Sequence, residues 1–424
     1  MVGIGGIGMS ALAQLLKARG KRVGGTDREE SPVTTLLSQK GVPVVIGHDQ
    51  CNIPADTGLL IYSDAVPESN VERVRAKEMG IPEMSYFEAL GAVSKDARTI
   101  AVSGTHGKTT TAGMLAKILQ FAEKEPTAVV GSIVRDFSPP AGGSNFLSGR
   151  SDLLIVEACE YRDHLLKLSP DILVITNIEL DHTDYFPDIE ALQKTFRKAA
   201  ERVPADGVIV TNPYDPVIAG VLGNAKAPII DYTTQTVPQL KQIGEFNRMN
   251  ARAAKAAARA AFPHLQEEYT DRALMDFKGS WRRWEYKGET PQGALVYDDY
   301  AHHPTAVRAT IEAAREEFPE KEITVVFHPH LYSRTRDLFG AFVDALATAD
   351  RIILAPIYAA REEDRGDVSS DTLAEAIAKN NENVLSLHSF DAIREELLDS
   401  AGDRDLIITM GAGDIYKVAE QIAD

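Results

Sequence analysis

Cysteine is nearly absent from this 424-residue chain; Cys51 and Cys159 are the only two. Two cysteines so far apart supply no disulfide framework, and their scarcity fits a reducing compartment. Positive charge is in deficit: 45 Lys and Arg stand against 62 Asp and Glu, a formal charge of −17. That balance argues against a general binder of nucleic acid or of an anionic membrane. It leaves room for a small anionic ligand in a locally positive pocket. No apolar run approaches the roughly 20 residues that span a bilayer. The N-terminus lacks the basic segment of a signal peptide and runs directly into a glycine motif. The expectation is a cytoplasmic protein without membrane insertion, either monomeric or homodimeric. Low-complexity tracts and short-period repeats are missing as well. What is present is 44% hydrophobic residues, ample for several packed cores, in a length that suggests roughly two to four domains.

The most informative stretch is Gly104-Thr105-His106-Gly107-Lys108-Thr109-Thr110-Thr111. It follows the apolar run 99–103, which reads as a buried strand, and precedes 112–119, which has helical spacing. Strand, glycine turn and helix is the arrangement that holds nucleotide phosphates. Glycines let backbone N–H groups approach the anion, and the helix N-terminus adds the positive end of its dipole. Lys108 is placed to reach the β/γ-phosphates and the Thr109 hydroxyl to help hold Mg²⁺. The longer P-loop pattern wants another glycine where Val102 stands. This is therefore a shorter variant, and it predicts ATP binding.

A second glycine turn opens the chain: Gly3-x-Gly5-x-x-Gly8, inside Gly5-Gly6-Ile7-Gly8-Met9-Ser10. A helical stretch through Lys17 follows, then strands over 22–27, 42–46 and 59–62, with Asp27 closing the first of these. This β-α-β pattern fits a dinucleotide-binding fingerprint. Physically it requires only a diphosphate-bearing ligand on that helix N-terminus, so NAD and a UDP-sugar both remain open. The first strand is oddly short, with two residues ahead of the first glycine.

From Arg98 a second α/β block carries strands at 152–156, 172–175 and 208–210, and a mostly parallel sheet is expected. An alanine-rich helix is expected over 250–261, ended by Pro263. A third block from Trp284 alternates helices with strands at 294–297, 323–327, 352–355 and 406–409, another open α/β domain. Glu157 ends one strand and Asp181-His182 follows the next. Ligands collect at the carboxyl ends of strands in such sheets, so Glu157 is a candidate Mg²⁺ ligand and His182 a second metal or phosphate ligand. Asp298-Asp299 closes the first strand of the third block, where carboxylates suit ribose hydroxyls; a bland alternative is a helix cap before Pro304. His330 and Arg334, in the run 328–337, offer a carboxylate clamp. Arg282-Arg283 at the block boundary reads either as solvated or as a charge that arrives when domains close.

Together these motifs closely resemble the Mur ligase family, the ATP-dependent amide-forming enzymes of peptidoglycan synthesis. The phosphate loop, Thr176-Asn177-Ile178-Glu179 with Asp181-His182, Asn247-x-x-Asn250 and Asp299-Tyr300-Ala301-His302-x-Pro304 appear in family order. The resemblance implies three domains: a Rossmann-like UDP-sugar domain (1–94), a central P-loop ATP domain (95–284) and a C-terminal Rossmann-like domain for the amino acid (285–424). Three stretches (3–10, 329–337 and 410–415) resemble the branch that joins UDP-N-acetylmuramate to L-alanine. So does Phe196, which falls where most other branches carry a carbamylated lysine.

The implied chemistry is transfer of the γ-phosphate to a carboxylate and attack by the amine on the acyl phosphate, with Lys108 and Mg²⁺ neutralising charge. By resemblance, Gly5, Gly6, Ile7, Gly8, Met9, Ser10, Asp27 and Ser63 bind the UDP-sugar. Gly104 to Thr110, Asn247, Asn250 and Asp299 bind ATP. Thr109, Glu157 and His182 hold two Mg²⁺ ions, Arg283 approaches the phosphates, and Tyr300, His330 and Arg334 line the amino-acid site.

Four positions depart from the family pattern: Cys159 for aspartate, Leu331 for arginine, Phe246 for histidine and Arg361 for glycine. Arg361 is a candidate replacement for the charge lost at Leu331. The alternatives are a related ligase that adds a preformed tripeptide to the same sugar, a degenerate nucleotide-binding homologue, and an NAD-dependent oxidoreductase.

Overall fold

The structure is a computed structural model that describes residues 1–137, 142–360 and 362–423. Arg361 lies outside the described residues. The chain divides into two compact units. The first comprises Met1–Ile178, Glu190–Gln239 and Met249–Lys278; the second comprises Glu179–Ile189, Leu240–Arg248 and Gly279–Asp424.

In the first unit, the N-terminal region is built on short parallel pairs. Strand Gly25–Asp27 pairs with Val44–Ile46, and Leu60–Tyr62 pairs with Glu83–Ser85. The short first strand consists of one bridging residue, Val2. Val2 bridges in parallel to both Thr26 and Tyr62, so it joins the two pairs. Helix Ile7–Ala18 leaves directly from the glycine turn. Its Leu12 and Ala13 are fully buried, and Ala13 packs with Ile4, Leu37 and Val42.

The larger sheet of this unit has seven strands. In spatial order they are Ile229–Asp231, Val208–Thr211, Ile172–Ile175, Arg98–Ser103, Leu153–Glu157, Thr127–Val134 and Ser144–Leu147. All neighbours are parallel except the last pair. The central strands are apolar on both faces, as helices covering a parallel sheet on either side require. The phosphate-loop strand Arg98–Ser103 sits in the middle, between Ile172–Ile175 and Leu153–Glu157. Their carboxyl ends therefore bring the phosphate loop, Glu157 and Thr176 side by side.

In the second unit a six-stranded sheet runs Glu285–Glu289, Leu295–Asp299, Asp405–Met410, Glu322–Phe327, Arg351–Leu354, Val384–Ser386. Only its first pair is antiparallel. Successive residues face opposite sides: Val325 packs with Val307, Ile311 and Phe342, while Val326 packs with Ile393, Leu397 and Val418.

Several elements differ from expectation. The strand expected over 22–27 begins only at Gly25, because Arg22 and Lys21 are exposed. The alanine-rich helix starts at Glu245 rather than 250, so Asn247 and Asn250 lie on one helix, three residues apart. No helix among the described residues is long and apolar enough to cross a membrane.

Candidate active site

The phosphate loop is held open by backbone geometry that only glycine adopts cheaply. Gly104 has φ +128° and Gly107 φ +81°. A Cβ on Gly104 would stand 2.1 Å from Thr176 Oγ1, and one on Gly107 2.1 Å from Asn250 Oδ1. The pair Thr176-Asn177 braces the loop. Asn177 accepts from Thr105 N–H through its backbone oxygen at 3.0 Å. Its side-chain oxygen accepts from His106 N–H at 2.9 Å, and its Nδ2 donates to His106 O at 3.1 Å. Thr176 Oγ1 donates to the same carbonyl at 2.6 Å. Helix Lys108–Phe121 then starts with Gly107 as its cap and no side-chain capping bond, which leaves its first N–H groups for an anion.

Lys108 and Thr109 open that helix and turn to opposite carboxylates. Lys108 Nζ donates to Gly104 O at 2.6 Å, to Thr105 O at 3.1 Å and to the buried carboxylate of Glu160 at 3.0 and 3.2 Å. Burial opposes the ammonium charge, but Glu160, Cys159 and Glu157 outweigh it and raise its pKa. Thr109 Oγ1 donates to both oxygens of Glu157 at 2.9 and 3.0 Å. Gly131 N–H donates to Glu157 Oε2 at 2.6 Å. The Thr109 hydroxyl and Glu157 carboxylate form an all-oxygen donor pair beside a phosphate loop, which fits a hard cation such as Mg²⁺. The Cys159 thiol is pushed up to about 12, first by burial and then by Glu160, so it stays protonated and inert as a nucleophile.

At the N-terminal glycine turn, Asp27 is engaged locally. It accepts from Gly5 N–H at 2.7 Å and from Arg28 N–H at 2.8 Å. Ser63 packs against Gly3, whose added Cβ would meet Ser63 Cβ at 3.0 Å. Asn145, which sequence reasoning left without a role, donates to Ile7 O and, at 2.9 Å, to Ser10 Oγ. It ties the edge strand Ser144–Leu147 to the turn.

The second unit carries its own polar cluster. Asp181 Oδ1 accepts from Arg334 Nη2 at 2.8 Å and Nε at 3.0 Å. Burial alone would raise the Asp181 pKa, but Arg334, His182 and His302 hold it well below the usual carboxylate range. Arg334 Nη1 lies 2.9 Å from His330 Nδ1. Since arginine only donates, that nitrogen accepts and the His330 proton sits on Nε2. His302 directs Nδ1 at Tyr300 O, 3.0 Å away. Its pKa is driven well below normal by burial and then by Arg334, so it is neutral. His182 has φ +54°, a strained conformation for a histidine.

Several sequence expectations change here. Arg282 is not solvated. It is 2% exposed, bonds Asp298 at 2.7 and 3.3 Å, and donates to Gly411 O at 2.6 Å and Gly413 O at 2.7 Å. Arg283 instead lies over the Tyr300 ring, 4.6 Å from its centroid. Asp299 accepts from Trp284 N–H at 2.7 Å and Ala301 N–H at 2.8 Å. Neither aspartate caps the following helix, whose cap is His303 without a side-chain bond. Arg334 is an occupied clamp, since its fork already serves Asp181 and His330. Leu331 is buried with φ +70°. Asn247 Nδ2 donates to Ile243 O at 2.8 Å, while Asn250 Oδ1 accepts from Thr111 Oγ1 at 3.3 Å. Phe196 is fully buried.

Lys108, Thr109, Glu157 and Asn250 thus stand together in the first unit. His182, Arg283, Asp299, Tyr300, His330 and Arg334 belong to the second, as does Asn247.

Residues 1–98 match the family description "Mur ligase family, catalytic domain", 102–242 "Mur ligase middle domain" and 282–413 "Mur ligase, glutamate ligase domain". The chain is 38% identical to a UDP-N-acetylmuramate–L-alanine ligase of Caldicellulosiruptor saccharolyticus, over 100% of this chain and 98% of that protein. Among solved structures, it is similar to the UDP-N-acetylmuramate–alanine ligase of Thermotoga maritima, with TM-score 0.78, 25% identity and coverage of 99% and 97% of the two chains. A murein peptide ligase of Psychrobacter arcticus shares the fold at TM-score 0.70 and 23% identity, covering 100% and 98%.

Proposed function

The chain belongs to the Mur ligase family, and from that premise we propose that it forms the amide bond between the lactyl carboxylate of UDP-N-acetylmuramate and L-alanine at the expense of ATP. The observation that carries this reading is identity of 38% along the whole chain with a relative of that activity. The tripeptide-adding alternative is the weaker reading: two murein peptide ligases are 23% identical over the whole chain and 26% identical over 66% of it, against 38% for the alanine-adding relative.

A carboxylate is a poor electrophile. The γ-phosphoryl group of ATP passes to a carboxylate oxygen and ADP departs. The alanine amine then attacks the acyl carbon, loses a proton and expels phosphate. Lys108, released from Glu160, is the residue positioned on the phosphate loop to meet the transferring group. Thr109 and Glu157 would hold Mg²⁺, with His182 at a second ion; the bound ion would neutralise phosphate charge. Gly104 to Thr110 and Asn250 receive ATP; Asn247 and Asp299 are assigned to it by the family resemblance alone. The family resemblance alone assigns Arg283 to the phosphates. Tyr300 and His330 receive alanine, His330 through the Nε2–H that Arg334 sets while it stays on Asp181. The cytoplasm is the expected compartment.

The test is phosphate release with ATP, Mg²⁺ and UDP-N-acetylmuramate, scanning L-alanine, glycine, L-serine and a cell-wall tripeptide. Release with L-alanine is expected. Release only with the tripeptide would move the specificity to the alternative, and silence with all four while ATP still binds would favour a degenerate homologue.

A further inference from the structure

Tyr86 touches the N-terminal glycine turn, although nothing in its sequence context marks it. A Cβ added to Gly8 would stand 2.7 Å from Tyr86 Cζ and 2.9 Å from its hydroxyl oxygen. The phenol therefore lies directly over the third glycine, at the start of helix Ile7–Ala18. That helix has Gly6 as its cap and no side-chain capping bond, so its first N–H groups are available to an anion.

The ring is fixed from behind. Tyr86 is the first residue of helix Tyr86–Lys95, whose start is set by a capping box: Ser85 Oγ accepts from Glu88 N–H at 3.2 Å and Glu88 accepts from Ser85 N–H at 3.1 Å. Phe87 meets the Tyr86 ring edge-on at 4.6 Å. The hydroxyl itself makes no hydrogen bond among the described residues. It is a held donor aimed at a turn built for an anion.

We propose that Tyr86 is a binding residue for the sugar nucleotide, its hydroxyl donating a hydrogen bond to the diphosphate on the glycine turn. This rests on the reading of that turn as a UDP-sugar site. The electrostatics agree. Burial first, then the negative charge of Glu157, holds the phenol pKa above its ordinary value, so the hydroxyl keeps its proton and acts only as a donor. Such a neutral donor adds specificity without placing a further cation beside the helix dipole.

The test is calorimetric titration of the full chain and its Tyr86→Phe variant with UDP, with UDP-N-acetylmuramate and with ATP. Phenylalanine keeps the ring over Gly8, so folding and melting temperature should be unchanged. A lost hydrogen bond to a charged group predicts a Kd for UDP and for the sugar nucleotide raised roughly ten- to a hundredfold, with ATP binding unaltered. Unchanged UDP affinity overturns the proposal, as does an equal loss for ATP. If the unaltered chain binds neither UDP nor the sugar nucleotide, the UDP-sugar reading of the turn fails and this inference falls with it.

Discussion

Two buried cations are held in different ways in this molecule. Lys108 and Arg282 each sit against a buried carboxylate, Glu160 and Asp298. Lys108 is 14% exposed and its three N–H bonds go to one carboxylate and two carbonyls of its own loop. An ammonium is a point charge on a flexible stem, so an incoming phosphate can take it over. Arg282 is 2% exposed. Its planar fork grips Asp298 and two carbonyls, Gly411 and Gly413, that belong to the end of another strand. Displacing this guanidinium would leave Asp298 and two carbonyls unpaired in a buried site. In the proposed reaction the first cation is handed to phosphate, while the second stays where it is.

The comparison breaks most easily at Lys108. Lys108→Ala should lower turnover by on the order of a thousandfold, with UDP-sugar binding nearly intact, since the N-terminal glycine turn is built from other segments. Equal loss of both by calorimetry and phosphate release would show that Lys108 is a structural residue after all.

Arg282→Ala should act on stability instead. It leaves Asp298 charged and buried, at a cost of about 3–5 kcal/mol, read as a lower midpoint in urea unfolding. Arg282→Lys should not restore it, because lysine cannot make the bidentate pair.

His328 sharpens the same contrast by pH. Its ring packs against Gly413 beside Arg282. Burial, then Arg282, lowers its pKa to about 4 despite Asp414. Above about pH 6.5 the ring is neutral in both states. As pH falls from there towards 4, the unfolded chain takes up a proton that the folded chain resists, so stability drops by about 3 kcal/mol. Unfolding midpoints of His328→Gln should lack this drop; an unchanged pH profile would assign it to other groups.

The smallest effect concerns Leu331. A buried leucine at φ +70° combines apolar burial with backbone strain. Leu331→Ala loses the side chain and keeps the strain, whereas Leu331→Gly loses both. The glycine variant should therefore be more stable than the alanine variant by about 1–3 kcal/mol, measured by thermal unfolding. The reverse order would mean that the strain is relieved elsewhere.

How legible each feature was follows from sequence distance. Gly104 to Thr109 are contiguous, so strand, turn and helix could be read from one octapeptide. The apolar runs 172–175 and 323–327 announced their strands because a sheet covered on both faces needs unbroken apolar residues. Strands Glu83–Ser85 and Val384–Ser386 gave no such signal, being three residues long and only partly buried. The polar partnerships were hidden for another reason. Asp181 meets Arg334 across 153 residues, and Lys108 meets Glu160 across 52. No local spacing encodes such pairs. Arg282 reads on paper like any surface arginine beside Arg283, until the sheet brings Gly411 and Gly413 to it.

The α/β class, the two glycine turns and the family are legible along the chain, because each depends on adjacent residues or on patterns recurring in order. Which charges are already paired is set by folding. Sheet pairing places Glu160 on Lys108, Asp298 on Arg282 and Tyr86 over Gly8, and the low-dielectric interior that encloses these pairs exists only once the chain has folded.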